Sequence, residues 1–216
     1  MPRANRAILL FFAGLLCAQD VTDRSKLELR NVDAEVTAYK GSRALKLTEK
    51  TASQADSIAV LKGSAFRNGA IEVDVAGAPA RGAMQGARGF IGIAFRVQPG
   101  ASRYECIYLR PTNGRADDQL RRNHTTQYIS FPDWPWERLR KDSPGVYESY
   151  VDLQPGEWTK VRIVVKGTDA SLFVGAATQP CLLVHDLKLG ESTGAVALWI
   201  GPGTEGYFRD LKIDLL

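Results

Sequence analysis

Between Arg103 and Asp142 the chain collects the side chains best suited to gripping a polar molecule: Arg110, Asn113, Arg115, Gln119, Arg121, Arg122, Asn123, His124, Tyr128, Trp134 and Trp136. Guanidinium groups present planar forks of donors that match neighbouring hydroxyls or a carboxylate. Amides fix orientation, and aromatic rings supply a flat apolar surface on which a polar, ring-shaped ligand can rest. A connection between strands needs only Gly, Pro, Asn, Asp or Ser. The surplus marks a recognition segment. We therefore take Arg110, Asn113, Arg115, Gln119, Arg122, Asn123, His124, Tyr128, Trp134 and Trp136 as ligand-binding candidates. The competing reading is a long loop whose arginines pair with Asp117, Asp118, Asp133, Glu137 and Asp142, and whose Trp134-Pro135-Trp136 run pins it to the body of the protein.

Catalysis would need more. Glu105, Asp118 and His124 are the candidates for a catalytic cluster within the segment, with His124 as a general base. Nearby arginines lower carboxylate pKa values, which suits ion pairing or a nucleophile better than a proton donor. His124 and His185 are the only histidines, and neither lies near a Gly-x-Ser-x-Gly nucleophile elbow. Two histidines without metal-ligand spacing make no zinc site. Asp117-Asp118 with Asn113 is the one local oxygen cluster, too sparse to predict a structural calcium. No metal and no cofactor are expected.

The elements that must position these residues are strands. Short apolar runs at period two, broken by Gly, Pro, Asn and Asp, predict strands over 26–29, 34–39, 44–47, 56–61, 69–75, 90–97, 104–110, 127–130, 158–166, 170–174, 181–185, 194–200 and 206–214. No stretch keeps a helical repeat for three turns. The 161–174 stretch reads as a hairpin through Gly167-Thr168-Asp169. Ala195–Ile200 is apolar on both faces and predicts a central strand. Phe208, Leu211 and Ile213 anchor a last strand that returns to the sheet on which the chain begins. Trp158 and Trp199 are assigned to the core. Residues 77–89, rich in Gly and Ala, read as a mobile surface loop able to border a cleft.

At its start the chain has Arg3 and Arg6, an apolar run from Ala7 to Leu16, and Cys17-Ala18. This order predicts a signal peptide over 1–18, cleaved after Ala18, and an exported protein, periplasmic or extracellular. The apolar run is about half of what a membrane-spanning helix needs. Leu16 stands where lipid attachment at Cys17 would want a small residue, so lipidation is not expected. The remaining 19–216 fit a single large β domain without a transmembrane segment. Removing Arg3 and Arg6 takes the net charge from +4 to +2, with no long basic run, so nucleic acid is a poor partner. Cys106 and Cys181 are either a disulfide or two small buried hydrophobes. The sequence does not give the oligomeric state.

Five stretches carry a resemblance: 66–75 (Phe-Arg-Asn-Gly-Ala-Ile-Glu-Val-Asp-Val), 89–96, 103–110, 156–161 and 194–201. Their order resembles the concanavalin A-like lectin and glucanase sandwich, in its laminin-G-like variety. It also resembles the 3-keto-disaccharide hydrolase domain family of exported bacterial proteins. The resemblance implies an all-β, two-sheet antiparallel jelly-roll sandwich whose glycans lie in a concave face or at its rim. It spans nearly all of the chain past the signal, but its motifs are structural and speak to fold more than to activity.

Retaining glucanases of this class carry Glu-x-Asp-x-Glu on one strand, where alternation sets the carboxylates on one face. Here Glu72-Val73-Asp74-Val75-Ala76-Gly77 starts the motif and lacks its last glutamate. With Ile71, Val73 and Val75 inward, Glu72 and Asp74 read as the wet side of an ordinary strand. Asn123-His124-Thr125 matches the glycosylation sequon, idle in a bacterial protein. The favoured reading is a lectin-like domain for a carbohydrate or other hydroxyl-rich ligand. A glycoside hydrolase acting on a disaccharide or 3-keto sugar, and a protein-interaction module of the cell envelope, are the alternatives.

Overall fold

Thirteen strands were expected, and each forms. The computed structural model describes residues 17–51 and 57–216, so the segment expected to be a signal peptide, but for Cys17 and Ala18, lies outside the described residues. In chain order the strands are β1 Cys17–Gln19, β2 Leu27–Arg30, β3 Val32–Tyr39, β4 Ser42–Glu49 and β5 Ile58–Leu61. Next come β6 Gly69–Pro79, β7 Ile91–Val97, β8 Tyr104–Leu109, β9 Thr126–Phe131 and β10 Glu148–Ser149. The last are β11 Thr159–Lys166, β12 Asp169–Val174, β13 Leu182–Val184, β14 Ala195–Ile200 and β15 Thr204–Leu215. Only the very short β1 and β10 were not predicted. Two short helices, α1 Gln119–Asn123 and α2 Trp136–Asp142, interrupt the recognition segment.

All pairings are antiparallel and build two sheets. One runs β13-β12-β11-β6-β15-β4-β3, with β1 also on β15; the other runs β10-β9-β8-β7-β14-β5-β2. This is the two-sheet antiparallel sandwich that the resemblance implies. Ile71, Val73 and Val75 of β6 and Val161, Ile163 and Val165 of β11 point between the sheets, where they meet Ile91, Ile93 and Phe95 of β7. Full burial of each such side chain contributes about 1.5–3 kcal/mol. Glu72 and Asp74 take the opposite face of β6: Glu72 sits 3.9 Å from Arg162, and Asp74 pairs with Lys160 (2.9 Å) and Arg209 (3.1 Å). The incomplete glucanase motif is thus the outward face of an ordinary interior strand, lined with ion pairs.

Apolar both ways, β14 lies between β7 and β5 and is buried at five of its six positions. β15 pairs β6 along its length, and β4 and β1 share its other side, which returns the chain to its starting sheet. The outer face of the seven-stranded sheet carries its own apolar cluster, with Tyr104, Cys106 and Tyr108 of β8 beside Ala197 and Trp199 of β14. Tyr108 stacks on Trp199 at 4.7 Å. Trp158 packs with Tyr39 and Tyr207 on the outer face of the other sheet. Trp199 is buried as assigned, in the outer-face cluster rather than between the sheets, whereas Trp158, just before β11, is only partly buried on the outer face of the other sheet. Cys106 is buried in the outer cluster and Cys181 bonds toward Leu172 of the opposite sheet, so the two thiols are unpaired.

Candidate functional site

Strand parity delivers the first residue of the site. Along β8, Glu105, Ile107 and Leu109 turn inward while Tyr104, Cys106 and Tyr108 turn outward. Arg110, one step past the strand, continues the outward row and lays its guanidinium on the Tyr108 hydroxyl (3.0 Å) and the Gln127 side-chain oxygen (3.0 Å). Its other terminal nitrogen donates to the His124 carbonyl (3.1 Å) and to Glu148 Oε1 (3.2 Å).

The chain then folds back over this end of the sheet. Asp118 caps α1 by accepting from the Arg121 amide, and the helix ends at His124, whose carbonyl also receives the Asn113 amide (3.0 Å). Arg121 Nε closes the circuit on Asn113 Oδ1 (2.9 Å). After β9, α2 presents Trp136 and Arg140 on one face, four residues apart. Arg140 lies over the Trp136 ring, 4.4 Å from its centre, and grips Glu148 through Nε (2.9 Å) and a second, shorter contact.

A cavity of about 260 Å³ opens between these elements, lined by Gly86, Arg88, Phe90, Arg110, Asn113, His124, Trp136 and Arg140. Its near wall comes from the Gly- and Ala-rich loop expected to border a cleft. Gly89 makes that approach feasible: it holds φ +69°, and a Cβ there would stand 2.8 Å from Ala78 Cα. The loop is tied down by the Thr112 amide on the Arg88 carbonyl (3.3 Å).

Of the ten predicted ligand-binding residues, the structure brings Arg110, Asn113, His124 and Trp136 together at the cavity. The others lie elsewhere. Arg115 forms an exposed pair with Asp152 (2.8 Å), Gln119 bonds Asn123 along α1 (2.7 Å), and Arg122 rests on Tyr150. Trp134 is sandwiched by Arg138 and Lys188. Tyr128 is a correction: it is 0% exposed, facing the sandwich interior, and no ligand can stack on it. Glu105 is equally enclosed, its carboxylate accepting from the Tyr128 hydroxyl (2.7 Å) and the Leu189 amide (2.7 Å). Burial pushes its pKa up despite those bonds. It cannot meet a substrate, and Asp118 is occupied as a helix cap, so Glu105, Asp118 and His124 form no common cluster. Among the described residues no group of three or more His, Cys, Asp or Glu side chains could hold a metal.

Arg88, Phe90, Arg140 and Glu148 were not singled out in the sequence. The spacing of Trp136 and Arg140 could have found Arg140 had α2 been read as a helix. Arg88 and Phe90 come from a separate loop, and only the tertiary fold unites them with the segment. Glu148, 6% exposed, is the anchor behind the wall. Burial disfavours its charge, but the Arg140 hydrogen bonds and the Arg110, Arg140 and His124 charges outweigh this and lower its pKa. His124 Nε2 stands 3.6 Å from the same carboxylate; burial lowers its pKa, and the Arg140 and Arg110 charges add to this against the opposing pull of Glu148.

No protein-family model and no curated protein matches the chain. Solved structures do. The carbohydrate-binding module CBM66 from Bacillus subtilis is similar at TM-score 0.55 and 12% identity, over 87% of this chain and 97% of that one. A Bacillus subtilis protein of unknown function with a galectin-like fold is similar at 0.53 and 10%, over 92% and 98%. The exoplasmic/lumenal domain of VIP36, in a form bound to Ca2+ and Man3GlcNAc, is similar at 0.52 and 10%, over 91% and 86%. The chain thus has the architecture of the lectin-like jelly-roll sandwiches. At such identities the likeness is one of fold.

Proposed function

We propose that this protein is an exported carbohydrate-binding domain that takes its ligand in the cavity at the end of the seven-stranded sheet. The observation that carries the reading is the convergence of Arg88, Arg110, His124 and Arg140 with two aromatic walls, Phe90 and Trp136, on one cavity. Polar donors around an open ring face are what saccharide recognition requires. Trp136 is 37% exposed, with the Arg140 and Arg110 guanidiniums 4.4 and 5.7 Å from its ring centre, so aromatic surface and donors meet at one point. The similar structures support the reading by their own ligands, one being a carbohydrate-binding module and another having been solved with Man3GlcNAc. Export rests on the basic, apolar and small residues of 1–18. We favour binding over hydrolysis, including hydrolysis of 3-keto-disaccharides, because the cavity lining contains no carboxylate and glycoside cleavage ordinarily uses two.

Calorimetric titration with a panel of neutral and acidic oligosaccharides tests this directly. At least one should bind, and Trp136→Ala should weaken it roughly five- to tenfold, the worth of one aromatic contact, with the thermal midpoint little changed. Absence of binding across the panel would overturn the reading.

A further inference from the structure

The charges around the cavity do not balance. Arg110, Arg140 and the His124 ring all crowd one carboxylate, Glu148. Arg88 forms no ion pair among the described residues. One of its terminal nitrogens donates to the carbonyls of Gln85 (2.8 Å) and Ala87 (3.0 Å), and its Nε and second terminal nitrogen have no partner there. Arg121, one layer back on Asn113, likewise has no acidic partner among the described residues. Three guanidiniums line the cavity against a single carboxylate set behind its wall.

A protein seldom leaves a half-buried guanidinium facing others without an anion, since each desolvated cation raises the cost of the next. The crowding is felt at Arg88, where burial, then Arg121 and Arg110, lower the pKa. Neutral sugars would gain little from this arrangement, because hydroxyls are satisfied as well by amides. A carboxylate would complete it: two coplanar oxygens match the free edge of a guanidinium, and the accompanying ring still has Phe90 and Trp136 to lie between.

Resting on the saccharide reading above, we infer that the cavity selects an acidic sugar, a uronic acid residue whose carboxylate docks on Arg88. Arg110 and Arg140, already committed to Glu148, set the positive field and the walls. Arg88 is the residue left free to meet the ligand.

The test compares two sets of probes on the full exported chain. Oligomers of galacturonate, glucuronate and mannuronate form the acidic set, and the neutral set comprises matched glucose, galactose and mannose oligomers. The acidic set should contain a binder at least tenfold tighter than any neutral probe, weakened severalfold between 50 and 500 mM salt as expected for a charge-driven contact. Arg88→Gln should remove most of that preference without shifting the thermal midpoint, because the side chain holds only its own loop. Equal binding of neutral and acidic probes, or an unchanged preference in Arg88→Gln, would overturn the inference and leave the carbohydrate reading standing. Failure of both sets would overturn the carbohydrate reading and the inference with it.

Discussion

Two arginine–glutamate clusters lie on opposite sides of the seven-stranded sheet, built from the same residue types and put to different ends. Inside the sandwich, Arg96 and Glu105 are each 0% exposed. Arg96 sits at a bulge, φ +53°, where two residues of β7 oppose one of β14. Its guanidinium donates to the carbonyls of Arg67 (2.7 Å), Gly167 (2.7 Å) and Gly190, gathering three loops at one end of the molecule. Every hydrogen-bonding edge there has a partner. On the outer side, Arg88, Arg110 and Arg140 surround one cavity, a single carboxylate serves two of them, and donors remain open to solvent. A closed, fully bonded cluster specifies a structure. An open one with surplus charge specifies a ligand.

The contrast is sharpest under mutation. Arg96→Met strands three part-buried carbonyls and leaves Glu105 without its nearby cation. It should destabilise the protein by about 3–5 kcal/mol in urea unfolding, whereas a loss below 1 kcal/mol would mean that the inner cluster is not the architectural one. Glu148→Gln should come next, at about 3 kcal/mol near pH 7, because Arg110 and Arg140 then face each other without the shared carboxylate. Its pH dependence has a definite sign. The folded pKa of Glu148 is depressed, so its contribution is fully present above the ordinary carboxylate value and disappears as pH falls through the lower folded one. The stability gap between wild type and Glu148→Gln should accordingly shrink in acid. A gap that widens in acid would contradict the ionised, shared carboxylate. Trp136→Ala, at the small end of the series, should move binding and hardly touch stability.

Most of the sandwich was legible because alternation is a local property: Ile71, Val73 and Val75 declare both a strand and its inward face. The helices were not, since α1 spans five residues and α2 seven, less than the length over which a helical period becomes visible. Tyr128 was misjudged for a reason of parity. It lies in a strand where Gln127 and Ile129 take the outer face, which sends the ring inward to Glu105. Arg110, Asn113, His124 and Trp136 could be picked by type because they share one segment. Arg88 and Phe90 could not, since their proximity arises only when the 80–89 loop folds across from β6 to β7.

The sandwich also offers a rival surface, where Tyr39 stacks on Tyr207 at 3.7 Å and Arg209 lies over Trp158 on the other sheet. The four tryptophans report on both places at once, Trp136 at the cavity and Trp158 on the opposite face. Their indole N–H signals, followed by heteronuclear NMR while a binding oligosaccharide is titrated, test the central claim most directly. We predict that the Trp136 signal moves progressively to saturation, together with the Arg88 side-chain N–H, while Trp158 stays in place. Movement of Trp158 with Trp136 unperturbed would place recognition on the other sheet and contradict the account.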